Sequence, residues 1–174
     1  MEDNRSEPVA VVGRGDTLTA ALLRRLLPGP VVELTPCQAA WNEDQRYRAV
    51  VVENFGLPVR GTLSGCAAAR WALSRRTGVT VVGLDDPEGR RLAAAGDGAV
   101  YAYSDGRPQA DLTAKNVRLR GERLEFEALT TRGELTRVRV RAGEEPRLYD
   151  HLAALAGALA LGVPLPEAVA RLNG

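Results

Sequence analysis

The sequence is poor in the side chains that most often do chemistry: its 174 residues include one lysine, one histidine and two cysteines. Cys37 and Cys66 have neither a CxxC spacing nor a histidine partner, which disfavours a zinc-type site and a cysteine nucleophile. We therefore predict reduced thiols and no bound metal, as in a cytoplasmic protein. Because Lys115 is the only lysine, any mechanism that requires an ammonium group has a single candidate.

Long apolar runs are also missing. No run reaches the ~18 residues of a membrane-spanning helix, and residues 1–7 are polar. These features predict a protein without signal peptide or membrane span, in which residues 1–7 form a disordered terminus. The formal net charge is +1, so no bulk electrostatic field favours nucleic acid or an anionic membrane as a partner. We predict neither.

Short Val-rich runs are present, and they predict strands that are covered on both faces. Four such runs are Val9–Val12, Val31–Leu34, Ala49–Val52 and Val79–Leu84, with a fifth strand at Ala99–Tyr103. Helical patterns lie between them at Thr17–Leu27, at Ser64–Arg76 with Gly78 as its C′ residue, and at Pro87–Ala95. This alternation predicts an α/β fold, a Rossmann-like three-layer sandwich with a mostly parallel sheet.

After Ser104 the pattern changes to alternating apolar and charged residues, which predicts a short antiparallel meander within residues 105–142. Its dry face is predicted to hold Val117, Leu119, Leu124, Phe126, Val138 and Val140. The Arg and Glu residues between them are predicted to pair across strands on the solvent face. Two closing helices are expected in residues 149–174, at Tyr149–Leu161 and Pro166–Leu172. We expect residues 1–174 to form a single domain.

The segment Val9–Leu27 has the frame of a phosphate-binding loop: a buried strand, a glycine-containing turn and an amphipathic helix. Such a loop holds phosphate with backbone N–H groups and a lysine, and Mg²⁺ with a Ser or Thr hydroxyl. Asp16 stands where the lysine is needed, and a carboxylate there would repel a phosphate by ~1 kcal/mol or more. The candidate positions of this degenerate loop are Gly13, Arg14, Gly15, Asp16 and Thr17. In the alternative interpretation the glycines serve only a tight turn, and Asp16 and Thr17 cap the helix.

Three ordered segments resemble the central, ATP-binding domain of the Mur ligase family. They are DDPEGRRLA at residues 85–93, ADLTAKNV at residues 110–117, and LYDHLAALA with LGVPL at residues 148–165. That family includes the peptidoglycan-precursor amino-acid ligases, folylpolyglutamate synthetase and cyanophycin synthetase. The resemblance implies an ATP- and Mg²⁺-dependent, amide-forming ligase whose three domains close over the reactants. It also implies that the UDP-sugar-binding and amino-acid-binding domains lie outside this sequence.

The positions that carry the family's chemistry differ here. The resemblance places Asp16 at the phosphate-loop lysine and Arg70 at the lysine that is carbamylated to bridge magnesium ions. A guanidinium stays protonated, so Arg70 cannot be carbamylated. At the end of the third strand, residues 52–56 resemble the family's strand end TNxxxDH, but its Asp and its metal-binding His are missing.

Near the nucleotide, Gly83 replaces an asparagine that the family uses beside adenine, and Arg147 and Asp150 replace both asparagines of an NxxN motif. Asp85 and Asp86 remain as candidate nucleotide-side residues. The alternative for this pair is capping of the helix that begins at Pro87.

These departures predict a non-catalytic Mur ligase-like domain that acts as a binding or regulatory module linked to cell-wall precursor metabolism. We expect no cofactor, with ATP and Mg²⁺ kept as the alternative of a ligase domain completed by another chain. A third hypothesis is a protein-interaction domain that binds no ligand. A homodimer or a separate protein partner is predicted to use the segment Pro36–Tyr47, where Trp41 and Tyr47 would be aromatic anchors.

Overall fold

The computed structural model describes residues 6–13, 18–35, 44–53, 77–95, 98–142 and 147–174. The elements in chain order are β1 (Val9–Val12), α1 (Leu18–Leu26), β2 (Val31–Leu34), β3 (Tyr47–Val52), β4 (Thr77–Gly83), α2 (Pro87–Ala94), β5 (Ala99–Ser104), β6 (Leu112–Arg120), β7 (Arg123–Thr130), β8 (Leu135–Arg141), α3 (Leu148–Ala160) and α4 (Leu165–Asn173). The predicted helix Ser64–Arg76, with Cys66 and Arg70, lies outside the described residues. So do residues 1–5, Cys37 and Trp41.

All eight strands of the described chain form one sheet in the order β2-β1-β3-β4-β5-β6-β7-β8. Every pair from β2 to β6 is parallel, whereas β6, β7 and β8 pair antiparallel. The predicted α/β fold, with a mostly parallel sheet and an antiparallel meander, is confirmed. The two closing helices also form, each within one residue of its predicted start.

Successive side chains of the parallel strands point into two different apolar clusters, one on each face of the sheet. Val9, Val11 and Val51 belong to the cluster that contains α1, α3 and α4. Val12 and Val50 belong to the cluster that contains Leu92 of α2. Because both faces are covered, the strands need apolar residues at every position, which explains their unbroken Val runs.

The meander follows the predicted alternation on β7 and β8, where Leu124, Phe126, Val138 and Val140 are buried. The prediction for the end of β6 is wrong, because Val117 and Leu119 are 43% and 55% exposed. The register shifts between Lys115 and Arg118, at an Asn116 whose φ is +52°. This bulge interrupts the strand's alternation. Beyond Thr113 the strand has also left β5, so β7 is its partner there.

Two further predictions, for Tyr47 and for Gly78, are wrong because both residues belong to strands. Tyr47 opens β3 and is only 2% exposed, so it belongs to the core and is not available as a surface anchor. Gly78 lies inside β4 and does not end a helix. A Cβ at Gly78 would come within 3.0 Å of Arg48 O on the neighbouring strand, so the close approach of two backbones accounts for this glycine.

Asn173, the last residue of α4, lies along the free edge of the outer strand β8. The Arg139 N–H donates to Asn173 Oδ1 at 2.8 Å, and Asn173 Nδ2 donates to Arg137 O at 3.4 Å. One side-chain amide thereby satisfies a backbone donor and a backbone acceptor of β8. Among the described helices, none has the length and apolarity needed to cross a bilayer.

Candidate functional site

The carboxyl ends of the parallel strands meet along one edge of the sheet, which is where open α/β proteins place their ligands. Cross-strand registers align Val12 of β1 with Val52 of β3, and Val52 with Val82 of β4. The residues that follow these strands, such as Gly13 and Glu53, are therefore neighbours. Helices α1 and α3 begin at the same edge, since Thr19 and Asp150 are in hydrogen-bond contact there.

The carboxylate of Glu53 lies directly against Gly13. The Glu53 N–H donates to Val12 O at 3.1 Å, and the Gly13 N–H donates to Leu34 O at 3.1 Å, so both backbones are held by neighbouring strands. A Cβ built on Gly13 would overlap Glu53 Oε2. A side chain at this position would therefore displace the Glu53 carboxylate from its place against the Gly13 backbone. The other loop positions predicted from the sequence, residues 14–17, lie outside the described residues.

Tyr103 lies beneath this edge, fully buried, and its hydroxyl donates to Val52 O at 3.4 Å. Burial raises the pKa of Tyr103 far above its usual range, and the negative charges of nearby carboxylates raise it further. The carboxylates that act on it are those of Glu53, Asp150, Asp86 and Asp85. The carboxyl edge thus combines four acidic groups, of which Asp85 pairs with Arg107 at 3.6 Å and Asp150 pairs with Arg147 at 3.7 Å.

Asp86 is the N-cap of α2, because its Oδ1 accepts from the Glu88 N–H at 2.9 Å and Pro87 follows it. Asp85 instead joins the ends of β4 and β5. Its Oδ1 accepts from Ser104 Oγ at 2.8 Å, and its Oδ2 accepts from the Asp105 N–H at 3.0 Å. The capping alternative is therefore confirmed for Asp86, and a role in nucleotide binding stays a prediction for both residues.

The glycine of the DDPEGRRLA segment, Gly89, has a packing reason. A Cβ there would overlap Gly83 O, so only glycine lets α2 approach the end of β4 this closely. The next residue secures the same contact, since Arg90 NH1 donates to Leu84 O at 2.8 Å and to Asp85 O at 3.2 Å.

The start of α3 adds a partly buried acid and a buried histidine. Asp150 accepts from Thr19 Oγ1 at 3.5 Å and pairs with Arg147 at 3.7 Å, while burial raises the pKa of its carboxyl. His151 is 3% exposed, and its Nδ1 lies 2.8 Å from Arg147 O. Burial lowers the pKa of His151. His151 is therefore a hydrogen-bonded core histidine.

The structure brings Gly13, Asp85 and Asp86 of the predicted site to one edge, whereas Arg70 lies outside the described residues. Glu53 was not predicted as a site residue. Its position directly after a buried strand was the available signal, but contact with Gly13 depends on the pairing of β1 with β3. Among the described residues, no group of three or more His, Cys, Asp or Glu side chains is arranged to hold a metal.

No family profile and no curated protein matches this sequence. Solved structures do match. A UDP-N-acetylmuramoylalanyl-D-glutamyl-2,6-diaminopimelate–D-alanyl-D-alanyl ligase from Acinetobacter baumannii superimposes with a TM-score of 0.79 at 21% identity, over 99% of this chain and 47% of that chain. UDP-N-acetylmuramate–alanine ligase from Thermotoga maritima gives 0.75 at 16% identity, over 98% and 45%. A murein peptide ligase from Psychrobacter arcticus gives 0.78 at 15% identity, over 98% and 47%.

The chain has a Mur ligase-like fold. The resemblance inferred from three sequence segments is thereby confirmed at the level of the central-domain architecture, including the meander and the closing helices. This Mur ligase-like domain spans about half the length of the solved ligases that it matches.

Proposed function

We propose that this Mur ligase-like domain is non-catalytic and acts as a binding or regulatory module. The observation that carries the proposal is the Glu53 carboxylate against Gly13, at the first glycine of the candidate phosphate loop. A phosphate placed there would meet that carboxylate at a few ångströms. Two like charges at about 4 Å repel by roughly 1 kcal/mol in water and about 4 kcal/mol at a typical protein surface.

The sequence supports the same conclusion from positions outside the described residues. Asp16 adds a second carboxylate to the loop, and Arg70 cannot form the carbamate that the resemblance calls for. The proposed module therefore binds neither ATP nor Mg²⁺ in the manner of a ligase.

The proposed module belongs to the cytoplasm and to cell-wall precursor metabolism, and it works through a protein surface. The solved structures that it matches include ligases of muramoyl peptides. We propose a second copy of this chain or a separate protein as the partner. Light scattering tests the second-copy version, which a strictly monomeric protein at high concentration would contradict.

The alternative function is an ATP-dependent ligase domain completed by another chain. It is favoured by one observation, that the domain spans less than half of each of these solved ligases. Under this alternative, an arginine would have to supply the charge of the missing lysines.

Phosphate release from ATP in the presence of Mg²⁺ distinguishes the two functions. We expect the purified chain to release no phosphate above a buffer control, because the Glu53 carboxylate lies against Gly13 and the sequence has Asp16 in place of the loop lysine. Asp16→Lys alone is not expected to restore turnover, since Arg70 remains. Turnover that Thr17→Ala abolishes would contradict the proposal and support the ligase alternative.

A further inference from the structure

The outer face of the meander carries its charges in regular cross-strand rows. In two rows a glutamate on β7 lies between two cations, Glu125 between Arg118 and Arg139, and Glu127 between Lys115 and Arg137. The charge of Glu127 is compensated by its neighbours, since hydrogen bonds from Asn116 and Arg137 lower the pKa of its carboxyl. These rows match the predicted cross-strand pairing.

The row at the end of the strands is different. It consists of three arginines side by side: Arg120 on β6, Arg123 on β7 and Arg141 on β8. All three are exposed, and none forms an ion pair with the residues that the structure describes. Like charges directly opposite each other in a sheet are destabilising, so this row favours an anion that would neutralise it.

A concave site adjoins that row. A cavity of about 580 Å³ is lined by the guanidinium-bearing residues Arg25, Arg123, Arg139 and Arg141, and by the carboxyl end of α4, Leu172–Gly174. Its volume falls in the range of small-molecule sites. Arg25 comes from α1, about 100 positions before the consecutive strands β7 and β8 that supply the other three arginines.

Two of the four arginines, Arg25 and Arg139, already have partners within the protein. Arg25 NH2 donates to Arg171 O at 3.0 Å, which caps the negative end of the α4 dipole. Arg139 lies 3.9 Å from Glu125. Arg123 and Arg141 have no such role among the described residues, so the charge of the cavity exceeds what the fold needs.

We propose that this arginine-lined cavity binds a compact oligophosphate group. Guanidinium groups bind phosphate oxygens through paired N–H donors, and several arginines around one cavity suit a ligand with several adjacent negative charges. The cavity shares no residue with the acidic carboxyl edge around Glu53, so the inference is independent of the proposed function.

The lining favours a small ligand over a polymer. None of its residues is aromatic, so it lacks the stacking surfaces on which single-stranded nucleic acid binds. The cavity also lies between the meander and the carboxyl end of α4, and both α1 and the sheet contribute arginines to it. A small, highly charged group is the ligand that a cavity of this size with several cations fits.

Calorimetric titration of the full chain with sodium tripolyphosphate tests the proposal. We expect one saturable site, weakened by salt, and a higher midpoint of thermal unfolding when the anion is bound. Arg123→Gln with Arg141→Gln should lower the affinity about tenfold or more. Arg25→Gln should also lower the affinity, because Arg25 of α1 lines the same cavity.

The matched control removes the same charge elsewhere. Arg91→Gln with Arg132→Gln alters two exposed arginines outside the cavity, and the affinity should stay within about twofold of the wild type. ATP provides a second probe: binding tighter than tripolyphosphate indicates a nucleotide as the source of the phosphates, and weaker binding indicates a free oligophosphate. Either result supports the site when Arg25→Gln weakens it.

Four results would overturn the proposal. One is the absence of saturable binding, and another is an equal loss in the control variant. The third is tighter binding of a single-stranded oligonucleotide that Arg25→Gln leaves unchanged, which would assign the arginine row to nucleic acid. Binding that Thr17→Ala abolishes and Arg25→Gln does not would instead place the anion at the Gly13 loop, and would count against the proposed function.

Discussion

His151 and Asp150 are neighbouring ionisable residues at the start of α3, and burial shifts their pKa values in opposite directions. The pKa of His151 is lowered by burial, while the carbonyl of Arg147 and the charge of Asp150 act against that shift and Arg25 adds to it. The pKa of Asp150 is raised by burial, against the opposing charges of Arg147 and His151. Burial therefore favours the neutral form of each group more in the folded protein than in the unfolded chain.

We predict that the free energy of unfolding falls as the pH is lowered below about 6.5, the value for an unfolded histidine. The unfolded chain then binds a proton that the folded His151 resists, whereas above that pH both states are neutral. The slope for one proton is at most about 1.4 kcal/mol per pH unit. Urea unfolding of the wild type and of His151→Gln at several pH values measures it.

The comparison is internally controlled because His151→Gln keeps Asp150, whose raised pKa works in the other direction at lower pH. The two proteins should differ in the slope between pH 7 and pH 5.5, whatever their absolute stabilities. Parallel curves would show that His151 titrates normally in the folded protein.

At the scale of elements, helix α2 depends on a backbone contact that leaves no room for a side chain. Its second residue after Pro87 is Gly89, which touches Gly83 O at the end of β4. Capping by Asp86 and the Arg90 hydrogen bonds fix the helix in this place. Asp86 and Arg90 therefore both hold α2 at the short junction between the end of β4 and the start of the helix.

We predict that Gly89→Ala destabilises the domain by about 1–3 kcal/mol, because its methyl group would force α2 away from β4. Gly106→Ala is the matched control, since nothing lies within 4 Å of a Cβ there. That variant should be neutral or more stable by a few tenths of a kcal/mol, through the unfolded chain. Chemical denaturation of both variants measures the difference. Equal effects would mean that α2 can move without cost.

At the scale of the whole molecule, the architecture could be predicted from the sequence. Strands buried on both faces and strands buried on one face have different patterns of apolar residues. Unbroken Val runs located β1 and β2 to the residue, and period-two alternation located β7 and β8. The misplaced residues were those whose environment depends on a local irregularity or a distant partner. Val117 and Leu119 are exposed in the part of β6 that extends beyond its pairing with β5, although Leu119 lies opposite the buried Leu124, and the alternation does not show where that pairing ends.

The candidate site was less predictable than the fold. Gly13 could be recognised as a candidate loop position, but its contact with the Glu53 side chain could not be predicted, since the two residues are 40 positions apart in the sequence. The arginine-lined cavity was also hidden. Arg25 and Arg141 belong to a helix and a strand at opposite ends of the chain, and only the tertiary structure brings them together.

The amide of Asn173 gives β8 a protected edge, and this has a consequence for self-association. An open strand edge offers unpaired N–H and C=O groups to other chains and can seed aggregation. In Asn173→Ala, Arg139 N–H and Arg137 O lose their partner. We predict that this variant forms concentration-dependent oligomers beyond those of the wild type in light scattering, whereas Asn116→Ala, which loses a bond away from that edge, does not. An Asn173→Ala protein that matches the wild type would show that arginine charge alone keeps neighbouring chains apart.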